Sequence, residues 1–184
     1  MKRSLLIGGF GGQGVMVTGQ LLCYCAAEET EDKQVTFFPS YGAEQRGGTA
    51  NCYVIISDTA IGSPMVDYAD ELIVFNNPSL DKFEECVKPG GTIIINSSVV
   101  DKEPTRKDVK TVKIPAIEIA LKLGSPKVQN LVMLGAYVGY TGLLDPEDVK
   151  RTAEKKLGGK RPEFIPLNNA AFDRGWEIGH AAAR

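Results

Sequence analysis

Residues 5–15 read Leu-Leu-Ile-Gly-Gly-Phe-Gly-Gly-Gln-Gly-Val, a short apolar run that opens onto five glycines. An apolar-periodic segment continues to about Glu28, so a strand is predicted before the glycines and a helix after them. Gly9, Gly11 and Gly14 fit the spacing G-x-G-x-x-G in the strand-to-helix setting of a phosphate-binding turn. Unpaired N–H groups and the positive end of the helix dipole favour an anion there. The same glycines would also permit close packing between strand and helix.

The sequence beyond the glycines disfavours a nicotinamide cofactor. Dinucleotide-binding folds usually place an acid about 20 residues beyond the glycines, at the end of the second strand. Here the second predicted strand ends in Pro39-Ser40-Tyr41-Gly42, and the nearby acids precede that strand, on the wrong side for a ribose. An ATPase phosphate loop is not matched either, because no Lys-Ser or Lys-Thr follows Gly14. A stand-alone Rossmann-type NAD(P)-binding oxidoreductase is kept as an alternative.

Two glycine-rich segments at this spacing resemble a known family. The first is Gly9-Phe10-Gly11-Gly12-Gln13-Gly14, and the second is Pro39-Ser40-Tyr41-Gly42-Ala43-Glu44-Gln45-Arg46-Gly47-Gly48. The similarity continues through Asp67-Tyr68-Ala69-Asp70 and residues 71–75 to Asn130-Leu131-Val132-Met133-Leu134-Gly135. Over essentially its whole length, the chain resembles the gamma subunit of 2-oxoacid:ferredoxin oxidoreductases.

This resemblance implies a component of a multi-subunit oxidoreductase that acts on the oxo group of its donor, with an iron–sulfur protein as acceptor. Such complexes oxidatively decarboxylate a 2-oxoacid with thiamine diphosphate, pass electrons through iron–sulfur clusters to ferredoxin, and release an acyl-CoA. Thiamine diphosphate, Mg and the clusters are expected in partner subunits: alpha, beta and, if separate, a ferredoxin-like delta subunit. The chain alone is expected to be inactive. Among substrates, 2-oxoglutarate is slightly favoured over pyruvate.

Composition suits one α/β domain spanning residues 1–184. Hydrophobic residues at 43% and charged residues at 24% are ordinary globular values and exclude a disordered chain. A net charge of −2 disfavours nucleic acid as a partner. No apolar run approaches the roughly 18 residues that would span a membrane. Glycines interrupt the apolar run that a signal peptide would need, so a cytoplasmic protein is expected.

The residues that could perform redox or acid–base chemistry are few. Cys23, Cys25, Cys52 and Cys86 lack the close clustering of iron–sulfur ligands, so they are interpreted as small apolar side chains in a reducing compartment. The one histidine, His180, lies far from them near the C-terminus, and no metal site is expected. No Ser-His-Asp set or G-x-S-x-G elbow can be assembled. No catalytic residue is therefore assigned to this chain.

Strands and helices are predicted to alternate, which is typical of a three-layer, Rossmann-like α/β fold with a mostly parallel sheet. No helix separates the second strand from the third, so at least one strand is expected to lie antiparallel at an edge. The predicted strands are 3–7, 34–38, 50–57, 72–75, 92–96 and 109–113. The predicted helices are 12–28, 78–87, 116–122, 127–140, 146–157 and 168–183, which makes the C-terminal third helical. Gly135 and Gly139 lie on one helix face and would let a second element pack closely.

Ligands of open α/β sheets bind beyond the carboxyl ends of the strands. Four segments are predicted there: 8–14, 39–48, 76–77 and 96–98. The candidate cofactor-binding residues are Gly9, Gly11, Gly12, Gln13, Gly14, Ser40, Tyr41, Arg46, Gly47 and Asn76. Coenzyme A is the expected direct ligand, because the resemblance suggests it and its phosphates suit a glycine turn plus the guanidinium of Arg46.

Each of these side chains also has a structural interpretation. Arg46 could pair with Glu44 or with an acid of a partner, and Tyr41 could fill a seam between subunits. Gln13 could orient the turn or contact a neighbouring subunit. Asparagines and serines at strand ends are often helix caps, with Asn77 the predicted cap before Pro78. A binding or scaffold module without any ligand is therefore a third interpretation of the chain.

Overall fold

The computed structural model describes residues 1–29, 33–42, 48–159 and 161–184. Its centre is a six-stranded sheet in the order β2-β3-β1-β4-β5-β6. The strands are β1 (Lys2–Phe10), β2 (Gln34–Tyr41), β3 (Thr49–Ser57), β4 (Ala69–Val74), β5 (Val87–Asn96) and β6 (Lys110–Ile114). The helices are α1 (Val15–Glu29), α2 (Asn77–Phe83), α3 (Ala116–Leu123), α4 (Gln129–Thr141), α5 (Pro146–Leu157) and α6 (Ile165–Ala182).

Most of the sheet is parallel, and one strand is reversed. β1, β4, β5 and β6 pair in parallel, whereas β3 runs antiparallel to both β1 and β2. The predicted α/β class and the predicted antiparallel strand are confirmed. The expected edge position is corrected: β3 lies one place in from the edge, and β2 is the edge strand. The chain turns back after β2, so that Tyr41 pairs with Ala50.

Both faces of the sheet are covered, which gives three layers. On one face, side chains such as Leu5 and Ile73 pack under α1, α3, α4, α5 and α6. On the other face, Leu6 and Leu72 join a smaller core with Leu80 of α2. Successive residues of β1 and β4 are thus buried on opposite faces, as strands covered on both sides require.

The segment between α2 and β5 differs from the sequence prediction. The helix predicted for 78–87 ends at Phe83, continues as a 3₁₀ turn (Glu84–Cys86), and gives way to β5 at Val87. Pro89-Gly90-Gly91 was expected to end a helix but lies inside β5. The register jumps there, from Ala69 opposite Val87 to Glu71 opposite Thr92. Gly90, at φ 78°, allows the resulting bulge.

The C-terminal third is helical, as predicted, with small shifts in the helix ends. α5 matches its predicted bounds, while 3₁₀ turns at Pro126–Val128 and Pro162–Phe164 precede α4 and α6. As expected, a second element packs closely against Gly135 of α4. A Cβ at this position would come within 2.0 Å of the Phe172 carbonyl oxygen on α6. Within the described ranges, no helix has both the length and the apolar character that crossing a membrane demands.

Candidate functional site

The carboxyl ends of β1 and β4 lie side by side, with Gly8 opposite Val74. From these ends the chain leaves in two directions: α1 packs on one face of the sheet and α2 on the other. Such a divergence opens a crevice beyond the carboxyl ends of the strands, which is where ligands of α/β folds bind. We call this place the glycine crevice and define it by the turn of residues 9–14.

The glycines of the turn serve two different purposes. Gly9 and Gly14 are closely packed: a Cβ on Gly9 would lie 2.7 Å from Val15 Cγ2, and one on Gly14 would lie 2.5 Å from Asn130 Cβ. Gly11 and Gly12 instead border open space, since a Cβ on Gly12 would have no neighbour within 4 Å. Gly12 and Gly14 also need glycine for their backbone, at φ 92° and 89°. Only part of the glycine pattern therefore leaves room for a ligand.

Gln13 and Asn76 hold the crevice together. Gln13 Oε1 accepts hydrogen bonds from Phe10 N (2.7 Å) and from Asn76 Nδ2 (3.1 Å), while its Nε2 donates to Phe75 O (3.2 Å). Asn76 Oδ1 accepts from Ser79 N at 2.9 Å and so caps α2, one residue earlier than the predicted cap Asn77. These bonds fix the turn and the start of α2. A contact of either side chain with a ligand stays a prediction.

A cavity of about 340 Å³ opens beside the turn. Its walls are mainly apolar: Phe10, Gly11, Gly12, Gly14, Val15, Met16, Val17, Tyr41 and Ala50. Tyr41 stands at its border with 70% of its surface exposed. Ser40 lies next to Tyr41 in β2, opposite Asn51, but does not line the cavity. The first turn of α1 carries no acidic residue, so the positive end of that helix is not neutralised by its own side chains.

The two ends of the β2–β3 connection are anchored next to this cavity. Gly11 N donates to Gly48 O at 3.0 Å, and Gly42 N donates to Thr49 O at 2.7 Å. The connection therefore starts and ends at the glycine crevice. Arg46 and Gly47, both predicted to bind the cofactor, belong to it but lie outside the described residues, so their predicted roles stay predictions.

Five apolar wall residues were not among the predicted site residues: Phe10, Val15, Met16, Val17 and Ala50. Val15-Met16-Val17 is an apolar first helical turn directly after the glycines, which is a weak signal, because helices commonly bury such residues in the core. Ala50 enters the wall only because β3 runs antiparallel beside β1, opposite Gly9. That pairing is a tertiary feature with no local sequence mark.

Two of the cysteines, Cys23 and Cys52, are held as protonated thiols. Burial raises the pKa of Cys23 to about 12 and also raises the pKa of Cys52 above its ordinary value. Cys52 Sγ donates to Val15 O at 3.7 Å, and Cys23 Sγ donates to Thr36 O at 3.5 Å. Thiols of this kind are poor nucleophiles and poor metal ligands. In the part of the chain that is described, no group of three His, Cys, Asp or Glu residues could hold a metal ion.

Comparison with known proteins agrees with this geometry. Residues 4–178 match the protein family described as "Pyruvate ferredoxin/flavodoxin oxidoreductase". The chain belongs to this family. It is 39% identical over 173 residues to the ketoisovalerate oxidoreductase subunit VorA of Methanothermobacter thermautotrophicus, covering 93% of this chain and 35% of that relative. It is 34% identical over 182 residues to the 2-oxoglutarate synthase subunit KorC of Methanocaldococcus jannaschii, covering 97% and 94%.

Solved structures of the family share the fold. The keto/oxoacid ferredoxin oxidoreductase gamma subunit of Geobacter sulfurreducens superposes with a TM-score of 0.85 at 30% identity, covering 99% of this chain and 98% of that one. The 2-oxoglutarate:ferredoxin oxidoreductase of Magnetococcus marinus, solved with 2-oxoglutarate, coenzyme A and succinyl-CoA bound, gives 0.86 at 26% identity. The match covers 98% of this chain but 31% of that protein. The resemblance to the gamma subunit is confirmed.

Proposed function

We propose that this chain is the gamma subunit of a complex that oxidatively decarboxylates a 2-oxoacid to an acyl-CoA and reduces ferredoxin. Its own part is to help position coenzyme A at the glycine crevice and to help assemble the complex. The observation that carries this proposal is the open cavity beside Gly11 and Gly12, at the unneutralised N-terminus of α1. A relative of the same fold was solved with coenzyme A bound.

Coenzyme A matches the crevice in two respects. Its diphosphate is an anion, which the N–H groups at the start of α1 favour. Its pantetheine arm is partly apolar, as are the cavity walls formed by Val15, Met16 and Val17. Arg46, one residue of the adjoining β2–β3 connection, would supply a bidentate cation for a phosphate group. These residues bind and orient, and none of them supplies a general base.

The redox chemistry belongs to the partners in this proposal. Alpha and beta subunits would hold thiamine diphosphate and Mg, and the iron–sulfur clusters would lie in partner subunits, including a delta subunit if it is separate. The protonated thiols of this chain fit that division of labour. The choice of 2-oxoacid would be made beside thiamine diphosphate, and 2-oxoglutarate remains the slightly favoured substrate. Relatives of this chain carry names for both ketoisovalerate and 2-oxoglutarate.

The test compares two glycine variants in the purified complex. Gly12→Val would place a side chain in the open space of the cavity. Gly124→Val would place the same side chain in open space away from the cavity, at the end of α3. Both glycines have positive φ and no neighbour within 4 Å of a Cβ, so the backbone strain is matched. Gly12→Val should raise KM for coenzyme A at least about tenfold, the loss of ~1.4 kcal/mol of binding, and Gly124→Val should leave it unchanged.

The alternatives give different results in the same experiments. Equal KM values in the two variants would remove the glycine crevice as the coenzyme A site. Loss of assembly in Gly12→Val and Arg46→Ala, with coenzyme A affinity unchanged, would favour the scaffold module. Tight NADH binding together with turnover by this chain alone would favour a stand-alone dehydrogenase.

A further inference from the structure

A second cavity, of about 270 Å³, lies at the opposite end of the sheet from the glycine crevice. It forms where the parallel strands begin, between the starts of β1 and β4 and the bulged start of β5. In contrast to the first cavity, its walls are rich in polar side chains, chiefly Arg3, Asp70, Glu71, Lys88, Thr92 and Tyr140. We call it the polar cavity. Neither the predicted site residues nor the proposed function makes use of it.

Glu71 is the deepest charged group of the polar cavity. Its residue is 2% exposed, and one carboxylate oxygen, Oε1, accepts a hydrogen bond from the Arg3 guanidinium. The other oxygen, Oε2, is buried and has no hydrogen-bond partner among the described residues. The Tyr137 hydroxyl lies close enough to the carboxylate to lower the pKa of Glu71, but it does not supply a hydrogen bond to Oε2. A buried acceptor without a donor is costly, so a donor in the cavity would stabilise it.

The other acid of the cavity, Asp70, has hydrogen-bond partners for both carboxylate oxygens. Asp70 Oδ2 accepts from Ser4 N and Ser4 Oγ, both at 2.8 Å, and its Oδ1 accepts from Lys88 Nζ at 2.7 Å. Thr92 Oγ1 and Tyr140 Oη form a hydrogen bond of 3.1 Å with each other. The need for a donor is therefore specific to Glu71.

The mouth of the polar cavity is positively charged. Lys110, at the start of β6, lines it and makes no ion pair with any residue of the described part of the chain. Lys88 and Arg3 are partly exposed beside it, although each also pairs with an acid. Gly90 borders open space at the bulge, since a Cβ there would have no neighbour within 4 Å. The cavity thus combines cations at the entrance with a lining residue, Glu71, that has one buried carboxylate oxygen without a hydrogen-bond partner.

We propose that the polar cavity binds a small organic acid that also carries a hydrogen-bond donor, as 2-amino and 2-hydroxy acids do. The carboxylate of the ligand faces Lys110 and Lys88, and its ammonium or hydroxyl group donates to Oε2 of Glu71 in its ionised form. A 2-oxoacid presents a keto oxygen in place of that donor, so it fits this cavity less well. The proposal is independent of the proposed function, because it concerns the other end of the sheet.

The experiment titrates the full chain with glutamate, 2-hydroxyglutarate, 2-oxoglutarate and inorganic phosphate, and follows backbone amide signals by NMR. Glutamate or 2-hydroxyglutarate should shift the amide signals of Gly90, Gly91 and Thr92, and 2-oxoglutarate and phosphate should bind more weakly. Lys110→Ala should weaken binding about fivefold, the upper range for one partly exposed ion pair. Lys122→Ala, at an exposed lysine of α3, is the matched control and should leave the affinity unchanged.

Tyr140→Phe provides a second variant that keeps the shape of the cavity. It frees Thr92 Oγ1 and should change affinity while leaving the fold intact, because Tyr140 is not fully buried. Binding of 2-oxoglutarate or phosphate as tightly as glutamate would overturn the requirement for a donor, and with it the proposal. The proposal is also overturned if neither the amino acid nor the hydroxy acid binds, or if the signal shifts are confined to other regions. Equal affinities of Lys110→Ala and Lys122→Ala would overturn it as well.

Discussion

At the scale of single residues, Gly12 and Gly14 share a positive φ of about 90° and differ in what surrounds them. Gly12→Ala adds a methyl group to open space, so its cost is the left-handed backbone alone, about 1 kcal/mol. Gly14→Ala has the same backbone cost and also forces the new Cβ to within 2.5 Å of Asn130 Cβ. Overpacking of this kind adds about 1–3 kcal/mol. Urea unfolding of both variants measures the difference, and equal losses would contradict the packing role assigned to Gly14.

Glu71 gives the stability of the chain a specific dependence on pH. Burial raises the pKa of Glu71 to about 7, although the Arg3 guanidinium opposes that shift. The folded state therefore holds this proton more tightly than the unfolded chain, in which Glu titrates near 4.5. The contribution to stability is complete below about pH 4.5 and is lost as pH rises to about 7, a change of roughly 3 kcal/mol at ~1.4 kcal/mol per pKa unit.

Glu71→Gln removes this titration and keeps the side-chain size. Relative to the unmodified chain, the variant should gain free energy of unfolding as pH rises from 4.5 to 7, and the difference should level off above that range. Urea midpoints measured at several pH values for both proteins provide the check. A difference that stays constant with pH would show that Glu71 titrates alike in the folded and unfolded states.

Residue chemistry at the glycine crevice was only partly readable from the sequence. The glycine spacing predicted the turn. The lack of an acid at the end of the second strand disfavoured a nicotinamide cofactor. The hydrogen bonds that Gln13 makes to Phe75 and Asn76 span more than 60 residues of sequence. They depend on β4 lying beside β1, and local sequence does not encode which strands become neighbours.

At the scale of elements, the crossing of α4 and α6 rests on glycines from both helices. A Cβ would come within 2.0 Å of a backbone oxygen of the opposite helix at Gly135 and Gly179, within 1.9 Å at Gly175, and within 2.4 Å at Gly139. Both helices thus carry a pair of glycines four residues apart on the buried face. The pair on α4 was recognised in the sequence. The pair on α6 was not, because its partner helix could not be identified from periodicity.

Gly175→Ala tests this crossing. Although alanine favours a helix by about 1 kcal/mol over glycine, the added Cβ collides with the Val132 carbonyl oxygen of α4. A helix backbone cannot move aside as a flexible side chain can. The variant should therefore lose about 3 kcal/mol of its free energy of unfolding. Gly159→Ala, where a Cβ would meet nothing within 4 Å, is the control and should stay within about 0.5 kcal/mol. Thermal unfolding of both variants is the measurement, and a stable Gly175→Ala protein would mean that the helices can separate without cost.

Most helices and strands were predicted at nearly their observed positions, because glycines, prolines and apolar periods mark them locally. The start of β5 is the instructive exception. Its Pro89-Gly90-Gly91 reads as the end of a helix, yet it is a bulge, and a bulge exists only in relation to the neighbouring strand β4. The polar cavity escaped prediction for the same reason, since it lies between that bulge and the first residues of β1.

At the scale of the whole molecule, the two faces of the sheet are covered unequally. Five helices cover one face, whereas α2 and loop segments cover the other among the described residues. On the thinly covered face, Phe38 of the edge strand β2 pairs with Tyr53 and is 38% exposed. Met65 and Tyr68, in the connection that leads to β4, are also large exposed side chains. Aromatic side chains are enriched at protein interfaces, so this face is the expected contact for other subunits of the proposed complex.

Phe38→Ser tests that expectation against a matched control on the helical side. Tyr24 of α1 is similarly exposed, at 44%, but it lies under Lys156 Nζ, 4.0 Å from its ring centre, on the face that the helices cover. If the thinly covered face meets the other subunits, Phe38→Ser should weaken association about tenfold, as removal of one aromatic anchor does, and Tyr24→Ser should leave it unchanged. Co-purification yields and titration of the isolated chain into the remaining subunits give the two affinities. A larger loss of affinity for Tyr24→Ser would place the subunit contact at α1 instead. The edge strand β2 would then have no partner subunit, and Pro39 within it would limit pairing with a strand of another molecule.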